Sequence, residues 1–214
     1  MSFSPTSNNP ANLDSLTGTF NLIMQKFSEN WEGMLPARVI GYSAGPPPRV
    51  SVQPLISTVT TAGGIVSKAQ IASLPVLIIG GGGFVIHFPL NVGDLGWILS
   101  ADRDLANFLD TYEESTPNTA RKHDFSSAIF IPDVMKGYNI ASEDSGAIVI
   151  QSLSGNVKVS LTTSTATVSA PTVNIISGNV NLGSLGGAGV ARIGDSVDPD
   201  THIITGGSST VFSG

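Results

Sequence analysis

Hydrophobic and polar positions alternate with three different rhythms along this chain, and each rhythm predicts a different structure. Residues 1–12 have no apolar rhythm and are rich in Ser, Asn and Pro, which reads as a flexible tail. From Leu16 the apolar residues recur at helical spacing: Leu16, Phe20, Ile23 and Phe27, with Met24 and Trp31 widening the stripe. Asp14 or Ser15 is placed to cap that helix, and Pro36 to stop it. The stripe has two readings: packing against its own domain or a sister chain, or docking onto a larger partner.

From Ala37 the period shortens to two. ARVIGY and RVSVQPLIS read as strands separated by the turn GPPP. LPVLIIG and FVIHFPL flank four glycines, and LGWILSAD follows NVGD as a further strand. Four or five short strands with a glycine corner predict a small barrel of the oligonucleotide/oligosaccharide-binding type over 36–112. RDLANFLDTYEES has the composition for a helical turn or two. The stretch 113–140 reads as an ordered connector, its Phe125, Ile129, Phe130 and Ile131 packing on something.

Beyond Ala141 the rhythm stays at two but comes in short bursts: Ile148/Ile150, Val157/Val159/Leu161, Val173/Ile175 and Val180/Leu182. Each burst ends in a Ser- or Gly-containing turn. The inward residues are medium-sized aliphatics, which suit a slender stack with a narrow interior. One chain of such strands leaves its edges and apolar face open. Three chains wound about a common axis close both, so 141–188 is expected to form an intertwined β-helix, with 189–214 as a tapering tip. The fold class expected is all-β: a short N-terminal helix (within 1–35), a barrel and a trimeric β-helix.

Composition narrows the function. The net charge is −6, with 12% of residues charged, so there is no basic footprint for nucleic acid. Cysteine is absent, which excludes disulfides and thiolate metal sites. No secretory signal is expected at the start, and Leu74 to Leu90 is too short and too interrupted to span a bilayer. The glycines at 80–83 and 183–189 read as turns in β structure, since neither has the context of a phosphate loop. Asp110, Glu113 and Glu114 lack the substantial domain that a glycosidase cleft needs. His87 lies opposite Phe84, Ile86 and Phe88 and reads as a surface or interface residue; His123 reads as making local polar contacts. No enzyme is expected.

FPLNVGDLGWILSADRDL (Phe88–Leu105) and RKHDFSSAIFIP (Arg121–Pro132) resemble the central spike of contractile-tailed bacteriophage baseplates. The resemblance covers about 34–140 by motif and 141–214 by architecture. The tip, Gly189–Asp195 with Gly207–Gly214, is also similar to Pro-Ala-Ala-Arg tip proteins, although it reads Gly-Val-Ala-Arg here. The resemblance implies a homotrimer in the virion, at the tip of the tail baseplate. The N-terminal region would attach to a baseplate hub protein, and sheath contraction would drive the apex through the outer membrane of a bacterium. It also implies a tip metal. In that family a His-x-His pair from each of three chains surrounds an iron ion on the axis; here the pattern is Asp200-Thr201-His202. His202 would supply three ligands per trimer, and Asp200 or water would complete the shell. The other reading of His202 is a turn histidine bonded to backbone. A receptor- or carbohydrate-binding tail fibre is the alternative function, although residues 141–214 hold a single aromatic, Phe212.

Overall fold

The computed structural model describes residues 15–29, 31–60, 63–178, 180–182, 188–189, 195–201, 205–206 and 211–213. They form two compact units, 1–137 and 138–214.

The first unit opens on helix α1 (Leu16–Glu29). Ser15 caps it: its Oγ accepts the Gly18 N–H at 2.9 Å, satisfying one of the free donors of the first turn. The helix ends well before Pro36, which lies instead inside strand β1 (Met34–Ser43) opposite Trp97. The chain leaves the helix through Trp31, whose ring stacks on His123 with centroids 3.8 Å apart. The Glu32 N–H donates to the His123 carbonyl, and the Ser100 N–H to that of Gly33. Backbone pairing has therefore already begun before the proline, and a proline is tolerated where the ladder does not need its N–H.

Strands β1, β2 (Arg49–Pro54), β5 (Ile71–Pro75), β8 (Leu95–Ala101) and β9 (Asp124–Pro132) form one antiparallel sheet in the order β5-β2-β1-β8-β9. The sheet curls until its outer strands meet at Val76 and Phe130, where the Leu77 N–H donates to the Phe130 carbonyl at 2.8 Å. The result is a nearly closed, OB-like barrel. Its core follows the period-two pattern in β1, with Ala37 and Val39, and in β2, with Val50 and Val52; Leu74, Leu90, Ile98, and Phe125, Ala128 and Phe130 from β9 complete it. Burying the Val, Leu, Ile and Phe side chains among them contributes roughly 1.5–3 kcal/mol each relative to leaving them exposed.

The fifth strand corrects the expected boundary. Residues read as a connector after 112 include β9, which supplies much of the core. Two hairpins leave the sheet: β3 (Thr58–Val59) with β4 (Ile65–Val66), and β6 (Ile79–Gly81) with β7 (Phe84–Ile86). Helix α2 (Ala106–Thr111) is the turn or two expected from RDLANFLDTYEES.

The second unit holds an antiparallel meander, β10 (Ile148–Gln151), β11 (Lys158–Leu161) and β12 (Ala166–Ser169). Short pieces β13 (Val180–Leu182), β14 (Ala188–Gly189) and β15 (Val211–Ser213) form a further small sheet. The described strands of 148–169 pair with their sequence neighbours within the one chain, and they make no β-helical winding by themselves.

Candidate assembly surfaces and the tip site

The meander shows how this sequence treats its two faces differently. Cross-strand pairing sets Ile148 against Leu161, Ile150 against Val159, Val159 against Val168 and Leu161 against Ala166. With side chains alternating along each strand, these six share one face. Every one of them is exposed, Ile148 at 70% and Val168 at 61%.

The opposite face carries Val149, Gln151, Lys158, Ser160, Thr167 and Ser169, and part of it is covered from within the chain. A single 3₁₀ turn, Ser142–Asp144, brings the Asp144 side chain onto it. Asp144 is buried, accepting from the Lys158 ammonium and from the Ser160 hydroxyl at 2.7 Å. The bond from Lys158, seconded by that from Ser160, holds the Asp144 carboxyl below its ordinary range, and the same bond raises Lys158. The strap thus covers the polar face at Lys158 and Ser160. The apolar face is open.

In the first unit, α1 presents Leu16, Phe20, Ile23, Met24 and Phe27 as an uncovered stripe. No described helix is long and apolar enough to cross a membrane. Beside β5 and β9 lies a groove of about 420 Å³, lined by Glu32, Lys68, Gln70, Ile71, Asp124 and Phe125 among others. Lys68 is occupied there, 2.6 Å from Glu32. The Ser126 hydroxyl and then its N–H hold the Asp124 carboxyl below its usual range.

The histidines fall in different places. His87 is exposed and lies 3.4 Å from the Tyr42 hydroxyl. His123 has the local contacts expected of it, the Trp31 stack and an Asp102 oxygen 2.9 Å from Nε2. Its backbone is left-handed, φ 48°. Asp110, Glu113 and Glu114 are exposed and line neither groove nor cavity described. Asp200 is exposed in a turn organised by Asp198, whose carboxylate accepts the N–H groups of Asp200 and Thr201 at 2.8 and 2.9 Å. Those backbone bonds, that of Thr201 first, lower Asp198 from its ordinary value. His202, the principal ligand expected at the tip, lies outside the described residues. Asp200 by itself is one surface carboxylate.

Sequence reasoning did not find the strap. Asp144 sits in SEDSG, a stretch with the look of a turn, and its partners are 14 and 16 residues away.

Comparison with known proteins reaches the first unit. Residues 35–133 match the family model of the phage protein Gp138 N-terminal domain. The match runs across all five strands of the barrel sheet and covers just under half of the chain. It supports a phage structural protein, a component of the virion. No curated protein matches the chain.

Proposed function

We propose that this chain is the central spike of a contractile phage tail, a mechanical part rather than a catalyst. Three copies associate through the second unit, α1 docks on a baseplate hub protein, and the apex is driven through the bacterial outer membrane on sheath contraction. The observation that carries the reading is the open face of β10–β12, six aliphatic side chains without cover beside a polar face strapped by Asp144. A small sheet that spends its own strap on the polar side has its apolar side reserved for something else. Large exposed apolar patches on soluble proteins mark interaction sites, and the cheapest cover for a repeating slender sheet is another copy of it.

The phage match supports this reading for the barrel, and the scarcity of charge beyond 141 suits a rod that transmits force. Sedimentation equilibrium of the purified chain tests it: the expected mass is three times 22.1 kDa. Ile150→Asp, in the middle of the open face, should shift that mass towards the monomer. A wild-type chain that is monomeric at micromolar concentration would sink the proposal. A trimer that binds a glycan array would favour the receptor-binding fibre instead.

A further inference from the structure

Between Arg49 and Asp94 the chain carries one charged residue, Lys68, although 12% of all residues are charged. That charge is paired with Glu32. Both hairpins that leave the barrel sheet come from this stretch, and among the described residues each pairs only within itself. Both are apolar and open: Ile65 is 78% exposed, and Phe84 83%.

The β6–β7 hairpin is the more developed. Gly82 and Gly83, both at positive φ, make a two-residue turn that no side-chain-bearing pair would enter as readily. Ile79, Ile86 and Phe84 share one face and Val85 stands on the other, all of them exposed. A side chain at Gly80 would meet the Phe84 carbonyl at 2.9 Å, so the two strands are held at their closest approach. A two-stranded ribbon is marginal in water by itself. This one has apolar side chains on both faces and needs cover.

The missing charge says what kind of cover. Partners that come and go meet surfaces that keep charged residues for their time in water, whereas permanent interfaces resemble a domain core cut in half. The occupant must therefore be present whenever the chain is folded. A second copy of the chain meets that condition, and the open face of the meander independently calls for copies. We infer that the β6–β7 hairpin is an arm that packs on the barrel of a neighbouring copy. The arm and the surface receiving it differ, so the contact is head-to-tail, and in a homotrimer the threefold rotation closes it as a ring. The inference rests on the homotrimeric reading above and assigns the barrel its own share of the assembly.

The absence of native cysteine makes the test clean. Phe84→Cys and, as control, Asn118→Cys in an exposed loop each give a unique thiol in the full chain. Maleimide labelling is followed natively and in urea. Position 84 should label at least about tenfold more slowly than 118 natively, and at the same rate in urea. Val85→Cys repeats the test if the first change disturbs the assembly. Equal native rates in a chain of trimeric mass overturn the arm and leave the trimer standing; a monomer that labels fast overturns both. Phe84→Asp separates a neighbour from self-packing: with the circular dichroism unchanged, the trimer should dissociate at a protein concentration at least about tenfold higher than the wild type does, and an unchanged dissociation constant refutes the inference.

Discussion

The sharpest test of the barrel is a single methyl group at Gly96. In β8 a Cβ at this position would lie 2.3 Å from Cζ of Phe130 and 2.4 Å from the carbonyl oxygen of Ile131. Phe130 is fully buried, and Ile131 belongs to the neighbouring strand β9. The ring has nowhere to rotate, and moving the carbonyl means parting β8 from β9 along the register that pairs Gly96 with Pro132. Overpacking a core costs roughly 1–3 kcal/mol. With backbone among the obstructing atoms, Gly96→Ala belongs at the upper end, about 3 kcal/mol. Trp97, the next residue, donates its indole N–H to Asp133 at 2.6 Å and so reports on this part of the sheet. Urea unfolding followed by Trp97 fluorescence in a Trp31→Phe background is the assay. At about 1–3 kcal/mol per molar urea, the midpoint should fall by roughly 1–3 M. Gly81→Ala is the control, because a Cβ there meets nothing within 4 Å; its effect should stay within about 1 kcal/mol. Adding Phe130→Leu to Gly96→Ala should cost less than the two changes summed, since one clash is shared. If Gly96→Ala unfolds with the same midpoint as Gly81→Ala, the close approach of β8 and β9 is wrong.

Further outcomes follow from the strap, the cap and the tip. Asp144→Ala leaves Ser160 without its acceptor and Lys158 with Glu143 alone, 3.5 Å away, and amide exchange across Ser142–Leu161 should quicken by about tenfold or more. Because the Asp144 carboxyl is held low, its contribution is present above the unfolded-chain value of about 3.9 and is lost as pH falls through the folded value. Lys158 is raised, so its contribution is present below about 10.4 and is lost as pH climbs through the folded value. Circular dichroism of the wild type should therefore change in strong acid and strong base; Asp144→Ala should lack the acid step and keep only the weaker part of the base step that Glu143 contributes. Ser15→Ala should destabilise α1 by about 1 kcal/mol, read as lost helical ellipticity. If three His202 side chains gather iron at the tip, the purified trimer carries one iron per three chains by elemental analysis and His202→Ala carries none; equal iron in both would end the metal reading.

Much of the barrel was legible because its strands announce themselves. In ARVIGY and RVSVQP the period-two positions are Ala37, Val39, Val50 and Val52, all of them core. The four glycines marked the β6–β7 hairpin, since a turn with two left-handed residues favours them. Strand β9 was harder. Phe125 and Ala128 are both buried although three residues apart, because the register slips opposite Ser100 and Ala101 and lets the strand keep its inward face across the irregularity. Strict alternation misses such a strand. Pro36 misled for a different reason: it looked like a helix stop, but the Trp31 stack on His123 had already turned the chain into the sheet. That contact joins residues 92 positions apart in sequence, and no local window contains it.

The candidate surfaces were legible to a different depth. Period-two alternation says that one face of a strand avoids water, and it says so equally for Val50/Val52 and for Ile148/Ile150. In the barrel that face closes on residues of the same chain, because five long strands can curl until β5 meets β9. The meander has three strands of four residues each, too little sheet to curl on itself. The strap comes from within the chain, and it goes to the polar face, where a buried Asp144 needs Lys158 and Ser160. Had the same segment crossed the aliphatic face, the unit would be a self-sufficient miniature domain and Ile150→Asp would unfold it. Because it crosses the other, Ile150→Asp should leave the monomer folded and remove only its association. Strand number and strap placement, more than hydrophobicity, separate an internal core from an assembly surface here, and a fall in mass without a fall in ellipticity is the measurement that tells them apart.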